Sequence, residues 1–429
     1  MEAEAVDRHP SGADSAMLRP MDSSARADVE EICSHERRMA GSDGERRLAN
    51  LLAAKLEGPA RTARVEPIHV QPQWAIVHLL HCLIAVAGSI VAGSQPAIGF
   101  ALVLIAATSA YLDLSARHYL LRRLLFRRAS QNVHSRSNAA DGGVPRVIIC
   151  ANLDAPRTGA VYNRLPMRVL EATARHFPVV TSPPRLWFWS IALLLPPIGA
   201  RMAGVDAIWL SALQLPQTLI LIVAIFALGE IALSPCSPGA NANASGIAAA
   251  LAAVRRLDAD PPAKLAVDLV FCGGGETTMQ GMRAFVRSHR DELRDERAQF
   301  ISLESVGRGD PRFIVSQGLA VSLPMDPELV RMGQAVALAG DEDNHPVEAM
   351  RDGLISAAWV ARAHKHPAIA ITCREDGRFL PEGHHTPADL PATVDPDAIE
   401  RAAAFAEQLV RLLDRDLTRK ESRVVASVA

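Results

Sequence analysis

The stretch Ser237-Pro238-Gly239-Ala240-Asn241-Ala242-Asn243-Ala244-Ser245-Gly246 joins a long apolar segment to an Ala-rich one. Pro-Gly marks a turn. Asn243 or Ser245 is placed to cap the helix expected over 247–257, where Ala favours helix. Short apolar runs at 144–150, 265–271, 300–303 and 368–372 read as strands, the second closed by Gly273-Gly274-Gly275. Helical periodicity covers 26–57, with Gly41-Ser42-Asp43-Gly44-Glu45 as turn and cap, and returns at 398–413. Strands alternating with helices imply an α/β sandwich on a largely parallel sheet, with its site at the carboxyl ends of the strands.

Four further segments, 74–92, 96–114, 186–202 and 209–233, approach the ~20 apolar residues that cross a bilayer. Tight connections group them into two hairpins. Arg117, Arg122, Arg123, Arg127 and Arg128 follow the second segment, and Arg164, Arg168, Arg175 and Arg185 precede the third. The positive-inside rule places these flanks in the cytoplasm. Each hairpin returns the chain to the side it left, so 26–73, 115–185 and 234–429 can fold together as one domain. His78, His81, Asp113 and Glu230 lie near the cytoplasmic ends and are expected to be solvated at the interface. No charged track crosses the bilayer, which argues against a transporter.

Composition narrows the classes. The 429 residues carry a net charge of −2 and are 49% hydrophobic, so nucleic acid is not an expected partner. Residues 1–25 are polar, lack the apolar core of a secretory signal and read as a disordered tail. Six scattered cysteines with no C-x-x-C pair read as buried free thiols. Asp341, Glu342, Asp343 and His345 read as a solvated loop, and His364 and His366 as an exposed face. No G-K-[ST] follows the triple glycine, and no G-x-S-x-G elbow occurs.

The chain resembles the co-catalytic zinc aminopeptidases, metallopeptidase family 28, in a series of ordered blocks. Arg38-Met39-Ala40-Gly41-Ser42 resembles R-x-x-G-S, and Ala151-Asn152-Leu153-Asp154 resembles A-H-x-D. The turn at Ala242 resembles P-G-A-N-D-N-A-S-G. Gly273-Gly274-Gly275-Glu276, with Gly281 beyond it, resembles G-A-E-E-x-x-x-x-G. Leu303-Glu304-Ser305-Val306-Gly307 resembles a strand ending in D-x-x-G, and His384-His385-Thr386 with Asp389 resembles Y-H-T-x-x-D. The resemblance implies a three-layer α/β/α sandwich with a mostly parallel central sheet. The hairpins insert four transmembrane helices into it.

The resemblance implies metal-assisted peptide hydrolysis at two zinc ions. It also implies that the machinery is incomplete. A zinc-binding His becomes Asn152, the bridging Asp becomes Ala242, the general-base Glu becomes Gly275, and an Asp ligand becomes Glu304. Glu276 and His385 remain as ligands, and Asp154 remains as the residue that orients the missing His. Glu276, Glu304 and His385 either hold one zinc or are relics satisfied by hydrogen bonds; a two-zinc centre is not expected. The leading expectation is a membrane-anchored, cytoplasm-facing pseudoenzyme that binds a peptide or protein in the old cleft. An active hydrolase with a rebuilt single-zinc site and a structural membrane subunit are the alternatives.

Overall fold

The computed structural model describes residues 19–138, 144–177, 179–340 and 347–428. Most of the expected tail, and the run Asp341, Glu342, Asp343 and His345, lie outside the described residues. The last part of the tail stretch is helical, because a helix begins at Arg19 and runs to Ser34.

Nine strands form one sheet among the described residues. They are β1 (Arg61–Val70), β2 (Arg128–Ser137), β3 (Arg146–Asn152), β4 (Ala266–Cys272) and β5 (Gln299–Leu303). The rest are β6 (Asp310–Gln317), β7 (Leu323–Pro324), β8 (Glu348–Asp352) and β9 (Ala368–Arg374). Their order is β1-β2-β4-β3-β5-β9-β6-β7, with β8 also on β6. β3, β4 and β9 are buried along their whole length, as near-continuous apolar strands covered on both faces should be.

Parallel pairing is confined to the centre, β4-β3-β5-β9, and to β6–β8. β1–β2, β2–β4, β6–β7 and β6–β9 are antiparallel. The sheet is therefore mixed rather than mostly parallel. The cause on one side is the first apolar hairpin: it leaves from β1 and returns into β2, and strands joined by an up-and-down excursion must oppose each other.

Helices cover both faces. Arg19–Ser34, Asp43–Leu56, Ser245–Ala259 and the start of Pro396–Val428 bury Ile32, Leu48, Ile247 and Ile399 against one side. Gln280–Ser288 and Ala357–Ala363 bury Met282, Phe285 and Trp359 against the other. The three-layer arrangement agrees with expectation. All six cysteines are free. His364 and His366 are half-buried at the end of Ala357–Ala363, not on an exposed face.

The apolar helices make a third core. Trp74–Val91, Pro96–Leu114 and Ile208–Leu233 are each long and apolar enough to cross a membrane. The remaining apolar segment is two short helices, Pro183–Leu193 and Leu195–Met202. Pro196 and Pro197 follow the break directly and remove backbone donors there. Small residues bring the first two helices together: a Cβ on Gly99 would lie 2.5 Å from Ala92 Cβ, the close approach expected of membrane helices. Ile90, Val223 and Phe226 face outward, each at least 67% exposed.

The ionisable groups of the hairpin are paired and buried, not solvated. His78, His81, Asp113 and Arg122 are all at most 1% exposed. Asp113 accepts two bonds from the Arg122 guanidinium, at 2.8 and 2.5 Å. His81 contacts His78 at 3.3 Å and Ser109 Oγ at 2.8 Å. Arg122 is thus an internal cation, unlike exposed Arg117, Arg123, Arg127 and Arg128. It also donates to Gln71 O and Thr277 O, joining the hairpin to the sheet domain. Arg122→Met strands the Asp113 carboxylate and should cost about 3–5 kcal/mol. Thermal unfolding in detergent should show that loss, with partial recovery in Asp113→Asn/Arg122→Met.

Candidate active site

The turn 239–244 is held from outside. Gly239 has φ +66°, and a Cβ there would lie 2.7 Å from Asn243 Oδ1. The Asp389 carboxylate accepts the amides of Asn241 (2.6 Å) and Ala242 (3.1 Å). Buried Arg38 donates to Pro238 O at 2.6 Å and to Asn243 Oδ1 at 3.3 Å. Neither Asn243 nor Ser245 caps the helix as expected. Asn243 Nδ2 instead donates to Leu153 O, and Ser245 Oγ accepts the Val306 amide. Their valences tie the turn to the ends of β3 and β5.

The triple-glycine loop is held by two more carboxylates. Asp154 accepts the amides of Gly275 (2.5 Å) and Glu276 (3.1 Å). Glu45 accepts the amides of Gly274 (3.1 Å) and Gly41 (2.8 Å) and the Ser130 hydroxyl. Ser42 Oγ accepts the Glu45 amide, so the expected helix cap is present. Burial pushes the Glu45 carboxyl up to about 7. Burial, then the nearby Glu45 and Glu276, raise Asp154 well above the usual carboxylate range.

Asn152 explains the glycine at 275. A Cβ on Gly275 would lie 2.3 Å from Asn152 Cγ and 2.4 Å from its Oδ1. The amide side chain fills the volume where a side chain at 275 would begin. Asn152 Oδ1 itself is buried without a hydrogen-bond partner.

Glu276 Oε2 meets His385 Nε2 at 3.3 Å. His385 stacks on His384, ring centroids 3.8 Å apart, and Tyr162 packs edge-on against both. Burial, then His385, takes His384 well below the usual imidazole range. Glu304 turns its Oε1 to Ser302 Oγ and the Ala357 amide, each at 3.1 Å. Burial pushes Glu304 up to about 8, so it is mostly protonated at neutral pH. Thr278, Met279, Ser305 and His385 all have positive φ, between 53° and 64°. Such backbone strain clusters at functional sites.

Asn152, Ala242, Gly275, Glu276, Glu304 and His385 all line one cavity of about 110 Å³. The six positions implied by the resemblance therefore converge. Trp74 and Leu114 of the first hairpin and Trp187 of the second form an apolar wall of the same cavity. The donors do not fit a two-zinc centre: a methyl stands at 242, and Asn152 fills the space beside Gly275. Among the described residues, Glu276, Glu304 and His385 do not form a group of three convergent ligands.

Sequence reading missed Glu45, Tyr162, Trp74 and Trp187 at this site. Glu45 was visible only as part of a cap, and the tryptophans only as ends of apolar segments.

Residues 226–410 match the model of peptidase family M28. No curated protein matches the chain. Among solved structures, the fold resembles a glutaminyl cyclase from Bacteroides thetaiotaomicron bound to N-acetylhistamine. That match has a TM-score of 0.52 and 14% identity over 91% of this chain and 97% of the other. A leucine aminopeptidase precursor from the same organism gives 0.51 and 14%, covering 91% and 96%. A Zn-dependent exopeptidase from Parabacteroides distasonis gives 0.52 and 12%, covering 92% and 97%. At such identities the likeness is one of fold.

Two expectations follow from the geometry. Gly275→Ala should cost about 1–3 kcal/mol by crowding Asn152, and Asn152→Ala in the same chain should relieve it, read by thermal unfolding. A carboxyl raised in the folded state favours the protonated fold. Its stabilising contribution is complete below the ordinary value of 4.5 and is lost as pH rises through about 8. Unfolding temperature should therefore fall across that window, and Glu304→Gln should flatten the fall.

Proposed function

We propose that this chain, whose residues 226–410 match the model of peptidase family M28, is a membrane-anchored binding protein of that family. Its cleft holds an apolar peptide end without hydrolysing it by the two-zinc route. The observation that carries this reading is Ala242, with Asn152 packed against Gly275. Two dications ~3.5 Å apart repel by roughly 19 kcal/mol at an effective dielectric of about 20. A shared carboxylate offsets that repulsion, and a methyl group cannot. Loss of a general base removes a further ~10²–10⁴ in rate.

The walls suggest the ligand. Trp74, Trp187 and Leu114 offer apolar surface, while Glu276 offers a carboxylate to an N-terminal ammonium. Three apolar helices with outward-facing side chains support anchoring, and in this reading the short helices Pro183–Leu193 and Leu195–Met202 pair with Ile208–Leu233 as the second hairpin. Exposed Arg117, Arg123, Arg127, Arg128, Arg164, Arg168 and Arg175 flank them and support a cytoplasmic domain.

A second reading, a hydrolase with a rebuilt site, draws on the Glu276–His385 pair, which still meets inside the cavity. Purified protein in detergent separates the two. Peptides with an apolar first residue and a free amine should perturb the fluorescence of Trp74 and Trp187, and N-acetylated peptides should not. Glu276→Ala should weaken binding about tenfold or more, the loss of a charged hydrogen bond. Zinc-dependent hydrolysis of aminoacyl substrates, abolished by Glu276→Ala, would overturn the binding reading in favour of the second.

A further inference from the structure

We infer that Glu66, His134 and His289 form a binding site for one zinc-class divalent cation, separate from the cleft. Glu66 lies on β1, His134 on β2, and His289 directly follows the helix Gln280–Ser288. Glu66 Oε1 is 3.2 Å from His134 Nδ1 and 3.2 Å from His289 Nε2. The three ligand atoms lie within 4.8 Å of one another. A tetrahedral zinc with bonds of ~2.0–2.1 Å spaces its ligand atoms by roughly 3.3 Å.

The outer nitrogens make the case specific. His289 Nδ1 lies 3.2 Å from Phe285 O, a backbone acceptor one helical turn back. It also contacts Ser288 Oγ at 3.0 Å. His134 Nε2, buried without a hydrogen-bond partner, lies 3.7 Å from Asp268 Oδ2. Asp268 Oδ1 is taken by Arg146 and the Ser137 amide, which leaves Oδ2 for the imidazole. Ligating histidines are oriented by a carboxylate or a carbonyl on the far nitrogen, as the Phe285 carbonyl orients His289. With protons on the far nitrogens, both near nitrogens aim lone pairs at the same carboxylate oxygen. A cation at the centre satisfies that convergence. Phe285 packs against both rings, at 5.0 and 4.5 Å between centroids, and fixes their orientation.

Two imidazoles and one carboxylate suit zinc and its neighbours rather than magnesium or calcium. Glu66 and His289 side chains are 24% and 20% exposed, so a water can complete the shell. The ion would pin the strands that flank the first hairpin to the helix that follows the Glu276 loop.

The test uses full-length protein in detergent, stripped with chelator and then given zinc or cobalt. The wild type should retain about one equivalent of zinc after gel filtration and show a tetrahedral cobalt spectrum. Glu276→Gln/His385→Gln should behave the same, which separates this site from the cleft. His289→Gln should weaken affinity by about 10–100-fold or more. His289→Cys, which keeps a ligand, should bind cobalt with a new thiolate charge-transfer band. Zinc uptake unchanged by His289→Gln, or none in the wild type, would overturn the assignment. The latter result would make the cluster a proton-held ion pair.

Discussion

Buried carboxylates that accept backbone amides hold this cleft in shape. Loops at the carboxyl ends of parallel strands leave several N–H groups without sheet partners, and each must be satisfied. Asp154, Glu45 and Asp389 satisfy them in the loops at 273–276 and 240–244. Burial raises all three, so their ionised forms are disfavoured and rely on these charge-assisted bonds. The arrangement ties the shape of the cleft to backbone amides rather than to the side chains that face the cavity. Asp154 need not orient a histidine to be indispensable, because the amides of Gly275 and Glu276 depend on it. The bonds that hold these loops run to the backbone amides of 242 and 275, not to side chains there.

The substitutions are also mutually consistent. A side chain at 275 and the present rotamer of Asn152 cannot coexist, so the glycine and the asparagine form one packing unit. A carboxylate at 242 would share the cavity with Glu276 and Glu304. A further carboxylate would add desolvation and repulsion, unless a cation compensated it, to a pocket where burial already raises Glu304. An alanine at 242 therefore spares the pocket that cost.

The central strands and the site positions were legible because their signals are local. Each of β3, β4 and β9 is a compact apolar run, and the blocks around Asn152, Glu276, Glu304 and His385 sit at strand ends or in tight turns. β1 and β2 were illegible: Arg61, Arg64, Glu66 and His134 give them no apolar alternation, and their pairing spans the whole first hairpin. The roles of Asn243, Ser245 and Asp389 were equally hidden. Each reads locally as a capping or motif residue, and its real partner lies far away in sequence. The paired Asp113 and Arg122 were misjudged for a related reason. Proximity to a span end suggests solvation, but only the fold reveals a guanidinium matched to the carboxylate.

That pair also places the apolar helices in the logic of the site. Arg122 reaches Thr277 O, the residue next to Glu276, while Asp113 holds it from the hairpin. His78 and Trp74 of the same hairpin line the cavity. A helix pair serving only as a tether would need no buried ion pair and no aromatic side chain at the cleft. Burying Asp113 and Arg122 costs several kcal/mol of desolvation that a simple anchor could avoid with leucines. The hairpin is therefore built as a wall of the cleft. Movement of those helices would be felt first in the loop that carries Glu276, through one guanidinium and the backbone carbonyl it holds.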